Sequence, residues 1–198
     1  AFCMYLPMKA APFVYEDVRW LGAVHQEILW TWPSRALTNL SFQLQAELPV
    51  SFGLPLSPLS FHMLNVGVHL VNSVLIAMIA FPMIGRLGSV FASGIFAIHP
   101  LMTEAVSYVA VRGDLLLTCC ALVALWGLRN GQRGLIVAAV AVILAGWTKE
   151  IGVVIMALML WTCLIYRQHV KLMGYAAGVV ALLCLVQWPT FSAWMTLP

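Results

Sequence analysis

About six apolar stretches follow one another between residue 61 and the end of the chain, and they constrain the fold more than any other feature. Hydrophobic residues make up 63% of the 198 residues and charged residues only 9%, whereas soluble domains have roughly 25% charged residues. A bilayer core about 30 Å thick needs roughly 20 apolar residues for each helical crossing. The sequence therefore predicts an all-α, polytopic integral membrane protein with about six transmembrane helices.

The predicted spans are separated by short loops, and these loops contain most of the charged residues that follow residue 60. The spans cover residues 61–81, 86–98, 114–128, 134–147, 151–166 and 173–192. Residues 1–60 are expected to form an N-terminal remnant and an extracytosolic amphipathic loop, and residues 61–198 the transmembrane bundle. Within the loop, apolar residues from Val18 to Leu29 recur at helical spacing, which predicts an interfacial helix, and a second short helix follows Pro33.

Charge is distributed unequally between the two sides of these spans. Threading the spans in order through a bilayer places all seven acidic residues on one side. The loops on the opposite side contain only basic charges, at Arg86, Arg129, Arg133, Arg167 and Lys171. Acid-free basic loops are expected to be cytoplasmic by the positive-inside tendency. The acidic face is therefore expected outside, towards the periplasm of a bacterial cytoplasmic (inner) membrane or towards a lumen.

Composition also restricts the partners and cofactors. The net charge of +3 is spread along the chain, and no block of Lys and Arg follows the pattern of a nucleic-acid-binding surface. Four of the five cysteines lie within apolar stretches without metal-type spacing. We therefore expect membrane lipids and not nucleic acid as partners, and the sequence contains no metal or redox cofactor signature.

The segment after the second span combines a helix break with several polar residues. Pro100 lacks a backbone donor and restricts His99 to extended geometry, so the span should end there. A short helix over 101–111 would then place Glu104, Tyr108 and Arg112 on one face. Together with Asp114, these side chains would gather at one depth of the membrane. Alternatively, Glu104 and Arg112 neutralise each other in a polar loop.

A polar stripe lies on the first span. His62, Asn65, His69 and Asn72 recur at helical spacing, and such a stripe should face other helices rather than lipid. Hydrogen bonding between helices is the favoured interpretation over a ligand-binding role.

Two further pairs of charged residues leave alternatives open. Lys149 and Glu150 either pair with each other in a turn or leave Lys149 available to a phosphate group. Glu16 and Asp17 are either solvated residues at a helix start or partly desolvated carboxylates that can act as a base.

Four segments together resemble a known family. They are FVYED (13–17), FHMLNVGVHLVN (61–72), HPLMTEAVSYVAVRGDLL (99–116) and WTKEIG (147–152). The combination resembles the membrane half of the transmembrane and tetratricopeptide-repeat-containing O-mannosyltransferases and their bacterial relatives, a group of GT-C class glycosyltransferases. The resemblance extends over most of residues 13–165.

The resemblance implies transfer of a sugar, expected to be mannose, from a lipid-linked polyprenyl-phosphate donor to a hydroxyl acceptor on the outer face. It implies that Asp17, with Glu16 beside it, is the general base of an inverting displacement. Four further residues are implied on the donor side. Arg112 and Lys149 would stabilise the phosphate, and His99 and Glu104 would shape the donor pocket.

Two other functions remain open from the sequence. A relative that has lost its chemistry would act as an accessory transmembrane subunit of a larger complex and present its apolar surface to partner helices. A transporter is a third alternative, although transport sites commonly lie at the membrane midplane and these charges cluster at one face.

Overall fold

The computed structural model describes residues 35–52, 57–152, 154–155 and 157–158. This part of the chain is all-helical, as the sequence predicts. Its α-helices are α1 (Ala36–Ser51), α2 (Pro58–Ile98), α3 (Leu101–Ser107), α4 (Arg112–Leu128) and α5 (Gly131–Gly146), with a 3-10 turn at Val109–Val111 between α3 and α4. The predictions for residues 1–34, for the sixth span and for most of the fifth lie outside the described residues.

Helix α2 is a hairpin rather than a rod. Gly85 interrupts it with φ 70° and ψ −177°, a backbone conformation that favours glycine. Nε2 of His69 lies 3.2 Å from the carbonyl oxygen of Ala97, 28 residues later, whereas a straight helix would separate such residues by about 42 Å. The chain therefore folds back at Gly85 into two antiparallel arms, 58–84 and 86–98.

These arms correspond to two of the predicted spans, 61–81 and 86–98. A second contact joins them, because the Ser93 hydroxyl donates a hydrogen bond of 2.7 Å to the carbonyl oxygen of Ser73. The turn between the arms contains Pro82 and Gly85, the two residue types that most often end a helix.

The second arm ends where the sequence predicts. Ile98 is its last helical residue, and His99 is extended at φ −64° and ψ 130°. The following helix is shorter than predicted: α3 ends at Ser107, and Tyr108 is extended at φ −82° and ψ 120°. Glu104, Tyr108 and Arg112 therefore do not share one continuous helical face.

The early end of α3 has a physical cause. The carbonyl oxygen of Tyr108 accepts a hydrogen bond of 3.2 Å from the side-chain amide of Asn65, and its backbone donor is the N–H of Val111 (3.3 Å) in the 3-10 turn rather than one four residues later. The neighbouring valines, Val109 and Val111, are β-branched and reduce helix propensity further.

Helices α4 and α5 form an antiparallel pair through small residues. A Cβ atom on Gly127 would lie 2.5 Å from the carbonyl oxygen of Gly134 and 2.9 Å from the nitrogen of Ala138. Alanines continue this contact along the pair, so that Ala124, Ala138, Ala141 and Val142 form a buried cluster. Close backbone approach over Gly and Ala is typical of helix packing in membranes.

Among the described residues, two segments are long and apolar enough to cross a membrane: the α2 hairpin (Pro58–Ile98) and Val109–Leu128. Along the α2 hairpin, many large apolar side chains are exposed, including those of Val74, Phe81, Phe91 and Ile95. An apolar surface of this kind is consistent with a bilayer environment. The total of about six spans stays a prediction.

The two ends of α4 differ in charge. At its C-terminal end, Arg129 donates a hydrogen bond of 2.7 Å from Nη1 to the carbonyl oxygen of Ile79, close to the Gly85 turn. The other end of α4 contains Arg112 and Asp114, and its 17 residues separate the two ends by about 25 Å. Which end faces the outside stays a prediction.

Candidate functional site

The candidate site lies where α1 meets the first turn of α4 and the turn after α5. The backbone N–H of Leu37 donates a hydrogen bond of 2.8 Å to the carbonyl oxygen of Trp147. One residue further along each segment, the Thr38 hydroxyl donates a bond of 2.7 Å to the carbonyl oxygen of Thr148. Gly113 fits beneath this junction, because a Cβ atom there would lie 3.3 Å from Oγ1 of Thr38. These two hydrogen bonds and the close packing of Gly113 therefore hold together three segments that are distant in sequence.

Four charged residues form two ion pairs at this junction. Nζ of Lys149 lies 2.6 Å from Oδ1 of Asp114. Arg35 contacts Glu150 with two parallel bonds, of 2.8 Å from Nε to Oε1 and 3.2 Å from Nη2 to Oε2. Lys149 and Glu150 are consecutive in the chain, so each pair has one member in the same turn. We call these four residues the ionic strip.

The ionic strip matches neither of the two sequence-based interpretations of Lys149 and Glu150. They do not pair with each other, because each bonds to a residue of another segment. Lys149 is also not an isolated charge, since Asp114 lies against it. The four side chains of the strip are about one third exposed (33–40%). Ion pairs between partly exposed side chains contribute only about 0–1 kcal/mol each to stability. The ionic strip is therefore reachable from solvent and contributes little to folding.

Arg112 precedes Asp114 by two residues at the start of α4 and is fully buried (0% exposed). Its guanidinium donates bonds to the side-chain oxygen of Asn65 (2.9 Å) and to the carbonyl oxygens of Ser41 (3.4 Å) and Phe61 (3.3 Å). It also stacks 4.2 Å above the centre of the Phe42 ring. Oxygen acceptors and an aromatic face thus compensate the buried cation.

This placement changes the interpretation of Arg112. The bonded partners of its guanidinium among the described residues include no carboxylate, so Glu104 does not neutralise it. A direct bond from Arg112 to a phosphate group would require α1 to move away, because α1 supplies both Ser41 and Phe42. In this structure, Arg112 joins α1 to α2 and α4.

His99 and Glu104 lie on the connection between α2 and α4, at the same end of the bundle, and both are exposed. Nδ1 of His99 accepts a hydrogen bond of 3.2 Å from the backbone N–H of Leu101, which places the proton of a neutral ring on Nε2. The backbone carbonyl of Glu104 accepts the N–H of Tyr108 and ends α3.

The polar stripe on α2 makes the contacts between helices that the sequence favours. Asn72 donates a hydrogen bond of 3.0 Å to the carbonyl oxygen of Leu115 in α4, and Asn65 bonds to both Tyr108 and Arg112. His69 contacts the second arm at Ala97. His62 is buried as well. Within the described ranges, no group of three metal-ligating side chains comes together.

Sequence reasoning assigned no role to Arg35, which the structure brings to Glu150 across 115 residues of chain. The expected base, Asp17, and its neighbour Glu16 lie outside the described residues.

Sequence comparison identifies several similar proteins. The chain is 32% identical over 146 residues to protein O-mannosyl-transferase Tmtc1 of Drosophila melanogaster, covering 63% of this chain and 16% of that protein. It is 31% identical over 143 residues to Tmtc2 of the same organism, covering 61% of this chain and 15% of the relative. Over 82 residues it is 40% identical to TMTC3 of Homo sapiens, covering 41% and 8%.

No protein-family model matches the chain, and no solved structure matches it. The chain spans no more than 16% of the length of these three relatives. Over that part, it is similar to proteins named protein O-mannosyl-transferases.

Proposed function

We propose that this chain is part of a membrane mannosyltransferase that moves mannose from a polyprenyl-phosphate donor to a hydroxyl group on the outer face of the membrane. The observation that carries the proposal is the similarity to three proteins that are each named a protein O-mannosyl-transferase. The ionic strip is compatible with it, because the segments 99–116 and 147–152 meet there through Asp114 and Lys149.

The proposed reaction is a single displacement at the anomeric carbon of mannose. The acceptor oxygen forms a bond to that carbon while its proton passes to the carboxylate of Asp17, with Glu16 as its neighbour. The bond between the anomeric carbon and the phosphate oxygen breaks, and its electron pair stays with the phosphate. The anomeric configuration is inverted as a result.

In this proposal, Lys149 stabilises the phosphate as a flexible point charge that can exchange Asp114 for the donor. His99 and Glu104, on the exposed connection at the same end, shape the donor pocket. Arg112 contributes by holding α1 in place rather than by touching the phosphate, because its guanidinium is buried.

The proposed location of the strip is the extracytosolic side. Arg86, Arg129 and Arg133 lie towards the opposite end of the bundle, where the positive-inside tendency predicts the cytoplasm. In a bacterium, this arrangement places the strip on the periplasmic side of the inner membrane. No observation on the described residues favours the alternative of an accessory subunit.

The proposal is tested with the intact protein in lipid vesicles that contain polyprenyl-phosphate mannose. An acceptor peptide with Ser and Thr is added, and its mannosylation is followed by mass spectrometry. We expect transfer by the wild type and a loss of at least about 100-fold in Asp17→Asn, because a positioned base contributes roughly that much. Glu47→Gln is the matched control, since Glu47 is an exposed acid that accepts a local hydrogen bond from Gln43.

Two results would contradict the proposal in different ways. If a folded wild type leaves the donor and the peptide unchanged, the assigned function is wrong. If the wild type transfers mannose and Asp17→Asn does so at the same rate, the function stands and the assigned base is wrong.

A further inference from the structure

We infer that the exposed surface of the α4–α5 pair selects phospholipids with short acyl chains and so thins the bilayer beside it. The inference needs the membrane location of these helices and does not depend on the proposed reaction. The spacing of charged residues along three helical segments carries it.

Charged residues mark both ends of α4 and α5. Along α4, Asp114 and Arg129 are 15 residues apart, which is about 22 Å at the rise of an α-helix. Arg133 and Lys149 mark the ends of α5 with its following turn, and they are 16 residues or about 24 Å apart. Both measures refer to the same two levels, because Lys149 bonds to Asp114 and residues 128–131 join the other ends.

The first arm of the α2 hairpin gives a third measure of this distance. At one end, Nε of Arg112 lies 2.9 Å from Oδ1 of Asn65, and at the other, Nη1 of Arg129 lies 2.7 Å from the carbonyl oxygen of Ile79. Asn65 and Ile79 are 14 residues apart in one helical arm, or about 21 Å. Three helical segments thus place the two charged levels about 21–24 Å apart.

This distance is shorter than the hydrocarbon core of an ordinary bilayer, which is about 30 Å thick. Tilting α4 and α5 would shorten the thickness that they span still further. Snorkelling would move the charges outward, but Arg129 and Lys149 are held by their bonds to Ile79 and Asp114. The bilayer is therefore the component that adapts, and it does so by becoming thinner.

The surface between the two levels is apolar and exposed. Ile136 and Val140 of α5 are 63% and 51% exposed. The residues at 115–128 and 134–148 include no charged side chain. An apolar band of this height fits acyl chains shorter than those that form a core about 30 Å thick.

The α2 hairpin differs from the α4–α5 pair in this respect. The residues at 57–85 include no charged side chain, and the first arm, 58–84, is about 40 Å long. Val74 of this arm is 58% exposed, much as Val140 is in α5. An ordinary bilayer fits the hairpin, so the preference for short chains is confined to the α4–α5 surface.

The experiment compares Val140→Cys with the matched control Val74→Cys in the intact protein, after the five native cysteines are replaced by alanine. Thermal unfolding compares the fold of each variant with that of the wild type, and Ile136→Cys repeats the measurement at a second position of α5. Each variant carries a fluorophore and is reconstituted into equal mixtures of monounsaturated phosphatidylcholines with chains of about 14 and about 22 carbons. Either the short or the long lipid is brominated, so that the ratio of quenching gives the relative occupancy of the two lipids beside the label.

We expect the short lipid to quench the label at position 140 at least about twofold more than the long lipid does, and to have no such advantage at position 74. Equal quenching at position 140, or the same advantage at position 74, would overturn the inference. Quenching by neither lipid at position 140 would overturn it too, because a protein segment would then cover α5. A protein that shows the expected preference but transfers no mannose would contradict only the proposed function.

Discussion

The side chains of Arg112 and Asn65 are 47 residues apart in the chain, and Nε of the first lies 2.9 Å from Oδ1 of the second. Both are completely buried, at 0% exposure. Asn65 also donates to the carbonyl oxygen of Tyr108, so a single amide both ends α3 and orients the first side chain of α4. This contact therefore joins the start of α4 to α2.

Removing the Arg112 side chain should destabilise the protein. Arg112→Ala leaves Asn65 Oδ1 without this donor and opens a cavity beside Phe42. We expect it to lower the free energy of unfolding by about 2–5 kcal/mol. Arg112→Met fills much of the same volume without the donors and should lose less. Thermal unfolding of the purified protein in detergent measures both changes. Arg133→Ala, at an exposed position, is the control, and equal melting temperatures for Arg112→Ala and the wild type would contradict the role assigned to this contact.

The contact between α4 and α5 predicts a strong difference between two glycines. Gly127→Ala places a methyl group against the backbone of Gly134 and Ala138. The substitution should lower the free energy of unfolding by about 1–3 kcal/mol. Gly94→Ala is the matched control, because a Cβ atom there has nothing within 4 Å and the substitution removes flexibility from a helix. Thermal unfolding should therefore show a lower melting temperature for the first variant only. Similar melting temperatures would mean that α4 and α5 do not approach this closely.

The hairpin in α2 predicts a short distance between its two arms. Spin labels on Val71→Cys and Ile95→Cys, both exposed positions, should lie within about 20 Å, because packed helices are about 8–10 Å apart. A straight helix would separate these positions by about 36 Å. Electron paramagnetic resonance distances on the reconstituted protein distinguish the two, and a distribution centred beyond 30 Å would contradict the hairpin.

Local sequence signals predicted much of this fold. Apolar stretches of suitable length predicted α4, α5 and both arms of the hairpin, and Pro100 predicted the end of the second arm. Each of these features acts on its own neighbours through helix propensity or backbone restriction, so the sequence shows it directly.

Features that depend on distant residues were predicted poorly. The break at Tyr108 follows from a hydrogen bond to Asn65, 43 residues earlier, and a helix pattern cannot reveal it. The same holds for the partners of Lys149 and Arg35, which lie 35 and 115 residues away. The family resemblance implied a phosphate-stabilising role for Arg112, and its burial became evident only from the packing of α1.

The central claim is that the ionic strip lies at the donor site of a mannosyltransferase, and one measurement tests it most directly. Initial rates of mannose transfer from polyprenyl-phosphate mannose to an acceptor peptide are compared for the intact wild type, Lys149→Met and the control Arg133→Met. The account predicts transfer by the wild type and the control, and a decrease of about tenfold or more in Lys149→Met, since a charge that stabilises the departing phosphate is lost. Equal rates for Lys149→Met and the wild type, or no transfer by a folded wild type, would contradict it.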